Sequence, residues 1–264
     1  MAEDGRRYVA GDNGTFRTAN MEQLQRNVAI RRSKMINQSR SPRRVSMGEQ
    51  THYTGTKKGL IILMNFKDTQ FKSANLNKYQ NVINGENYNV SPFKGSVADY
   101  FKAQSGGLFE LDFDIVGPFT AYNNYTYYGQ NDSEGNDQHA EDLIVEAVTA
   151  ADDEVNFADY DWDNDGEVDQ VFIIYAGKGE ADTGIANLIW PHMYYPMYSG
   201  KDQTLDGVHI NTYACSSELN GNGSIDGIGT ICHEFSHCLG YPDFYDTSYN
   251  GWFGMGSLDR DRKS

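Results

Sequence analysis

Residues 233–243 carry the one pattern in this chain that fixes local structure and chemistry together. They spell His-Glu-Phe-Ser-His-Cys-Leu-Gly-Tyr-Pro-Asp, which is HExxH extended to HExxHxxGxxD. Residues four apart lie on one face of an α-helix, so a helix here places the imidazoles of His233 and His237 side by side. Gly240 has no Cβ and can adopt the positive φ that ends a helix. The pattern therefore predicts a helix with two adjacent imidazoles, followed by a turn.

This spacing is typical of a zinc site. Catalytic zinc takes three protein ligands and leaves one position open. The predicted ligands are His233, His237 and Asp243. Asp243 lies just beyond the turn, and Pro242 stiffens its approach. Glu218, or another acid from a separate loop, is the alternative third ligand.

Glu234, between the two histidines, is the predicted general base. It would accept the proton of a metal-activated water that attacks a peptide carbonyl, and return it to the leaving amine. The predicted reaction is hydrolysis of a peptide bond in a protein or peptide substrate. Ordinary helix histidines that only form hydrogen bonds are the alternative. A helical wheel argues against that alternative, because the apolar residues gather opposite the histidines; they are Ile228, Ile231, Phe235 and Leu239.

A second acidic pattern, in residues 161–169, predicts a calcium loop. It spells Asp-Trp-Asp-Asn-Asp-Gly-Glu-Val-Asp. Clustered carboxylates suit a hard cation, and Gly166 permits the sharp bend. The candidate ligands are Asp161, Asp163, Asp165, Glu167 and Asp169. An EF-hand needs a Glu at its twelfth position, where this chain has Phe172, so calcium would be structural; a solvated acidic turn is the alternative.

The charge is unevenly distributed along the chain. The net charge is −15, yet the first 50 residues hold 10 Lys/Arg against 5 Asp/Glu, which leaves 12 against 32 in the remainder. An acidic body argues against nucleic acid as a partner. We expect residues 1–55 to be a prosegment remnant or an N-terminal arm, with a basic amphipathic helix over 21–38. We expect residues 56–264 to form the catalytic domain.

Compartment and cysteine pairing are less constrained. No apolar run is long enough to span a membrane, and no secretory signal is present at Met1. Abundant Tyr and Gly nonetheless favour a secreted protein whose signal is absent from this chain. Cys215 could pair with Cys232 or Cys238, and three buried reduced thiols are the alternative. His192 is expected to be a hydrogen-bonded residue rather than one that lines the cleft.

Hydrophobic periodicity predicts alternating strands and helices. Strands are expected at 60–66, 108–116, 168–176, 187–190 and 208–215, and helices at 96–104, 138–151 and 225–239. This order favours an α/β (α+β) fold, in which helices pack on a mostly parallel or mixed sheet.

The chain resembles the immune inhibitor A (M6) family of secreted bacterial metallopeptidases, which are metzincin-like zinc peptidases. The motif at 233–243 and the following Phe244-Tyr245-Asp246 carry the resemblance. Supporting stretches are Ser96–Phe101, the acidic loop running into Val171–Gly177, Ile189–His192 and Gly254–Ser257.

The resemblance implies a metzincin-like twisted mixed sheet with packed helices and an active-site helix carrying HExxH. It also implies a secreted zymogen with a zinc-dependent endopeptidase domain, often stabilised by calcium. It carries over His233 and His237 as zinc ligands, Glu234 as the base and Asp243 as the third ligand.

One departure concerns the end of the chain. Such enzymes place a methionine turn beneath the zinc site, whereas here a charged tail follows Met255. We therefore expect a domain truncated at its C-terminal end. A catalytically impaired relative, or a calcium-dependent extracellular peptide-binding module, is the alternative function.

Overall fold

A mixed five-stranded sheet with helices on both faces organises the part of the chain that is described. The computed structural model describes residues 53–241 and, before them, two short strands. The strands are β1 (Tyr8–Ala10), β2 (Phe16–Thr18), β3 (Gly55–Asn65), β4 (Phe109–Thr120), β5 (Val171–Lys178), β6 (His192–Tyr194), β7 (Gln203–Leu205), β8 (Val208–Ile210) and β9 (Tyr213–Leu219). The α-helices are α1 (Ser73–Asn84), α2 (Val97–Gln104), α3 (Tyr125–Tyr128), α4 (Ala140–Ala151), α5 (Glu180–Thr183) and α6 (Ile228–Cys238). Two 3₁₀ turns lie at Phe157–Tyr160 and Pro196–Ser199.

The main sheet has the strand order β4-β3-β5-β9-β6. The first four strands run parallel, and β6 pairs antiparallel with β9 at the edge. Two separate two-stranded sheets pair β1 with β2 and β7 with β8, both antiparallel. This topology confirms the predicted α/β class with a mixed sheet.

Two of the three interior strands, β3 and β5, are the apolar runs that the sequence predicts as buried strands. Residues Leu60–Asn65 of β3 and Val171–Ala176 of β5 are buried without a break. A strand of a parallel sheet covered by helices on both faces needs apolar side chains at every position, not at alternate ones. The unbroken run is therefore the reason that both strands occupy the middle of the sheet.

Each face of the sheet has its own hydrophobic cluster. Helix α4 packs on one face, where Ile173 of β5 and Tyr213 of β9 point. Helices α1, α2 and α6 pack on the other face, where Phe172 and Ala214 point. Alternate residues of one strand thus belong to the hydrophobic clusters on opposite faces of the sheet. We call the second side the α6 face, because it carries the helix with the HExxH pattern.

The helices predicted at 96–104 and 138–151 are confirmed as α2 and α4. A capping box begins α2: the Ser96 hydroxyl accepts a hydrogen bond from Asp99 N, and the Asp99 carboxylate accepts one from Ser96 N. The same carboxylate also accepts from Asn87 N and Tyr88 N. Asp99 therefore fastens the preceding loop to the start of the helix.

The predicted strand at 187–190 is wrong, because the backbone groups of this segment form hydrogen bonds with a helix end and with side chains instead of with a neighbouring strand. The Ile189 carbonyl accepts from Glu180 N and from the Tyr175 hydroxyl, and Trp190 N donates to the Asp137 carboxylate. The strand of this region begins only at His192, after Pro191.

The single strand predicted at 208–215 is wrong because the segment is two strands. Its first part pairs with β7 and its second part joins the main sheet, with Asn211 and Thr212 between them. Helix α1 is absent from the sequence prediction. Its Asn-rich sequence has weak helix propensity, and it is helical because Tyr79, Val82 and Ile83 bury one face in the core.

Some predictions fall outside the described residues. These are the helix at 21–38, Pro242, Asp243 and everything after them, including Met255. Within the described residues, no helix combines the length and apolarity that crossing a membrane requires.

The capping box gives a prediction with a defined pH dependence. Partial burial raises the pKa of Asp99, but hydrogen bonds from Asn87, Ser96 and Tyr88 outweigh it, so the pKa lies below its ordinary value. Asp99→Ala should lower the free energy of unfolding by about 1–2 kcal/mol at pH 7. The ionised carboxylate is the stabilising form, so the difference should shrink as the pH falls through the folded pKa. Denaturant unfolding at pH 7 and pH 3 measures this. The exposed Asp112 is the control, and Asp112→Ala should change stability by less than about 0.5 kcal/mol.

Candidate metal centre

Helix α6 is oriented by one buried aromatic side chain. Phe235 is 0% exposed, and its ring lies 5.0 Å from that of Phe101 on α2 and 5.6 Å from that of Phe113 on β4. Removing such a side chain from a core costs about 3–5 kcal/mol. His233 and His237 are each two positions from Phe235, about 200° around the helix. The packing therefore turns both imidazoles away from the core.

The two imidazoles meet at one point. His233 Nε2 lies 3.1 Å from His237 Nε2, and the rings are nearly perpendicular. Two nitrogens bound to one tetrahedral zinc at 2.0–2.1 Å would lie about 3.3 Å apart. Only a small adjustment separates the observed pair from that spacing.

A backbone carbonyl orients the second imidazole. His237 Nδ1 lies 2.7 Å from the Tyr241 carbonyl oxygen. A carbonyl can only accept, so Nδ1 carries the proton, and Nε2 of the neutral ring presents its lone pair toward His233. Metal-binding histidines commonly use their second nitrogen in this way. Sequence reasoning missed the role of Tyr241, because a backbone carbonyl has no sequence signature.

The turn after α6 supplies that carbonyl. Gly240 has φ of +86°, as its place in the pattern predicts. Gly240 N donates to the His237 carbonyl at 2.9 Å, and Tyr241 N donates to the Ser236 carbonyl at 3.1 Å. This pair of bonds is a Schellman motif, which requires the left-handed conformation that glycine adopts without strain.

Glu234 completes the group on α6. Its side chain is 11% exposed, and its Oε1 lies 3.7 Å from His233 Nε2. Candidate ligand atoms of His233, Glu234 and His237 all lie within 4.8 Å of one another. The structure thus brings together three of the four residues predicted for the zinc site. The fourth, Asp243, lies outside the described residues.

Glu218, the alternative third ligand, is engaged elsewhere. Its side chain is 1% exposed, and Oε1 accepts hydrogen bonds from Lys72 N at 2.9 Å and Asn75 Nδ2 at 2.7 Å. Oε2 accepts from Gly177 N at 3.2 Å. Both oxygens serve to join β9, β5 and the start of α1. The geometry therefore gives Glu218 a structural role.

The acidic loop brings some of its candidate ligands together. Carboxylate oxygens of Asp161, Asp163 and Asp169 lie within 4.8 Å of one another. The loop is held by its own backbone: Gly166 N donates to Asp161 Oδ2 at 2.9 Å, and Trp162 N donates to Asp169 Oδ2 at 2.6 Å.

The other two acids of the loop lie outside that group of three. Asp165 Oδ1 accepts from Glu167 N at 2.9 Å, and Glu167 Oε1 lies 3.5 Å from His209 Nδ1. Cation binding by all five acids would require these two carboxylates to move.

His192 and the cysteines have structural surroundings. His192 Nδ1 donates to the Trp190 carbonyl at 2.5 Å, and its Nε2 accepts from the Tyr213 hydroxyl at 2.6 Å. The predicted hydrogen-bonded role of His192 is confirmed. All three cysteines are buried thiols that form no disulfide, as one of the two alternatives requires. Burial raises the pKa of the Cys215 and Cys238 thiols, which makes them poor nucleophiles.

Comparison with known proteins identifies the family of the chain. Residues 47–256 match the family model described as immune inhibitor A peptidase M6, catalytic domain. The chain belongs to the immune inhibitor A (M6) peptidase family, and the matched region is the family's catalytic domain.

The chain is also similar to two bacterial proteins. The pre-pro-metalloprotease PrtV of Vibrio cholerae serotype O1 is 29% identical over 247 residues, in each of two strains, covering 74% of this chain and 26% of the relative. Immune inhibitor A of Bacillus thuringiensis subsp. alesti is 26% identical over 263 residues, covering 78% of this chain and 36% of the relative. The chain thus spans between a quarter and two fifths of the length of these relatives.

A structural role and a metal-ligand role of Glu218 predict different effects of a substitution. Glu218→Gln keeps the shape but turns an amide N–H₂ toward backbone and side-chain donors, so it should lower the free energy of unfolding by about 2–4 kcal/mol. Zinc bound per folded chain should stay unchanged. Thermal unfolding and metal analysis of the folded protein measure the two quantities. Loss of bound zinc with an unchanged free energy of unfolding would show that Glu218 is a zinc ligand.

Proposed function

We propose that this chain is a zinc-dependent endopeptidase domain that hydrolyses peptide bonds of extracellular proteins. The observation that carries the proposal is the 3.1 Å approach of two imidazole nitrogens beside the Glu234 carboxylate. Membership of the M6 peptidase family supports it, since its relatives are named as a metalloprotease and as immune inhibitor A.

The donor set suits zinc. His233 and His237 offer imidazole nitrogens, and Asp243 is proposed as the carboxylate ligand. The hydrogen bond from His237 to the Tyr241 carbonyl supports this assignment, because it aims the free lone pair of Nε2 at the shared point. The positive φ of Gly240 supports the return of the chain toward the site after the helix.

The residues of this chain have separate tasks in the proposed reaction. When bound, zinc supplies Lewis acidity toward a water molecule and toward the peptide carbonyl oxygen. Glu234 accepts the proton of the attacking water and delivers it to the leaving amine. Its low exposure strengthens its electrostatic interaction with the site, because little water screens it.

We also propose that the acidic loop at 161–169 binds a structural calcium ion. Its candidate ligands are Asp161, Asp163, Asp165, Glu167 and Asp169. The close approach of three of these carboxylates supports the proposal. Calcium would offset their mutual repulsion and fasten the loop to β5, which follows it directly.

Export is the last part of the proposal. A secreted zymogen is proposed, with residues 1–55 as the remnant of a prosegment and 56–264 as the catalytic domain. The acidic body supports a soluble extracellular protein. The V. cholerae relative carries the words pre-pro-metalloprotease in its name, which supports a processed precursor.

The test of the peptidase is Glu234→Ala. This variant should keep zinc in a stoichiometry equal to that of the wild type and should lose casein hydrolysis by about 10³-fold or more, because the proton acceptor is gone. Metal analysis and a casein assay, with and without a chelator, measure both effects. Equal activity in the two proteins would remove Glu234 from the mechanism.

Asp243→Asn is the companion variant for the third ligand. It should weaken zinc binding by about 10–100-fold, as loss of charge from a zinc ligand predicts. Competition with a fluorescent chelator measures the affinity. An unchanged zinc affinity would show that another residue completes the site.

Calcium should raise the melting temperature. At about 100 times the dissociation constant, a bound ion stabilises by about 2.7 kcal/mol, which corresponds to roughly 5–10 °C for a domain of this size. Asp163→Asn should abolish most of the shift, whereas Asp153→Asn, an exposed acid outside the loop, should not. Thermal unfolding with calcium, and with magnesium as the comparison ion, measures it. An equal shift in both variants would contradict the site.

A further inference from the structure

Met197 is the most exposed methionine among residues 53–241, which contain three. Met64 of β3 is 1% exposed, and Met193 of β6 is partly buried against a hydrophobic cluster. Met197 is 47% exposed, in the 3₁₀ turn that follows β6. A thioether sulfur that an oxidant can reach is converted to a sulfoxide. Exposure therefore makes Met197 the methionine at which a dissolved oxidant should react first.

The side chain of Asn211 holds Met197 at two atoms. Met197 N donates to Asn211 Oδ1 at 3.0 Å, and Asn211 Nδ2 donates to Met197 Sδ at 3.0 Å. A backbone N–H can only donate, so the amide oxygen must face it, and the amide N–H₂ is left facing the sulfur. Asn211 is 6% exposed and lies between β8 and β9, so its side chain has little freedom to turn away.

This contact makes the two lone pairs of the Met197 sulfur unequal. An oxidant can add oxygen to either lone pair of a thioether, and the two additions give sulfoxides of opposite configuration at sulfur. The Asn211 amide occupies one lone pair. A hydrogen bond to oxygen alone spans about 2.9 Å, so the 3.0 Å between Nδ2 and Sδ leaves no room for an added oxygen on that side. The other lone pair is the one that remains for an oxidant from solvent.

We propose that Met197 is an oxidation site for hydrogen peroxide at which Asn211 selects one of the two sulfoxide configurations. The sulfur lone pair attacks one peroxide oxygen, the O–O bond breaks and an S–O bond forms. The second oxygen receives the proton of the transferred oxygen and leaves as water. The sulfur loses two electrons, and the peroxide gains them. Methionine sulfoxide reductases reverse the change, and a different enzyme acts on each configuration.

The experiment is limited oxidation of the folded full chain by hydrogen peroxide, followed by proteolysis and mass spectrometry in which fragment ions locate the added oxygen. Sulfoxide should appear at Met197 before it appears at Met193 or Met64. The peptides are then treated with one or the other of the two configuration-specific reductases. One enzyme should remove about five times as much sulfoxide at position 197 as the other, the ratio that corresponds to one hydrogen bond.

Two controls isolate the contribution of Asn211. In concentrated urea no fixed contact covers either lone pair, so oxidation of the unfolded chain should give both configurations equally. Asn211→Asp keeps the oxygen that accepts from Met197 N and removes the N–H₂ that faces the sulfur. The folded variant should therefore lose the preference for one configuration. Asn211→Ala replaces it if the buried carboxylate prevents folding.

Three results would overturn the proposal. The first is an equal amount of the two configurations at Met197 in the folded wild type. The second is a preference that persists in the folded Asn211 variant, because the amide would then not be its cause. The third is earlier oxidation at Met193 or Met64, which would place the accessible sulfur elsewhere. All three are read from digested peptides and depend neither on zinc nor on peptidase activity.

Discussion

The burial of Phe235 between Phe101 and Phe113 is the contact on which the rest of the site depends. A helix that packs one side on a sheet can present only its other side to solvent. Because Phe235 fixes which side is buried, it also fixes that His233 and His237 face outward together. The adjacent placement of the two imidazoles is in this sense a consequence of ordinary core packing.

The turn at the end of α6 adds orientation to this placement. One left-handed glycine closes the helix, and the bonds that close it bring the Tyr241 carbonyl within reach of His237. The imidazole is thus held in a defined tautomer and direction. Gly240 and the Tyr241 carbonyl together fix the direction in which the second ring nitrogen of His237 points.

The buried Glu218 carboxylate shows how the sheet supports the same region. It ties the end of β9 to β5 and to the start of α1, and its own carbonyl accepts from Asp226 N just before α6 begins. A buried charge needs several donors. Here those donors come from the start of α1 and from β5, so satisfying the carboxylate also fixes β9, the strand that leads into α6.

Prediction from the sequence succeeded where one local rule decides the structure. The unbroken apolar runs predicted β3 and β5, and the helical spacing of Val97, Tyr100 and Phe101 predicted α2. Prediction failed where contacts with residues distant in the sequence determine the secondary structure. Trp190 bonds to Asp137 instead of pairing in a strand, and α1 is helical because its apolar face is buried in the core. No window of neighbouring residues contains those partners.

The sequence by itself determined that two imidazoles and a carboxylate would share one helical turn, and that the turn would end at Gly240. These follow from the helical period and from the backbone freedom of glycine. Only the tertiary structure decided that α6 packs against β9 and β6 with Phe235 in the core, and that Glu218 bonds within the core. Those facts depend on which strands are neighbours, and strand order is set by long-range packing that local sequence does not contain.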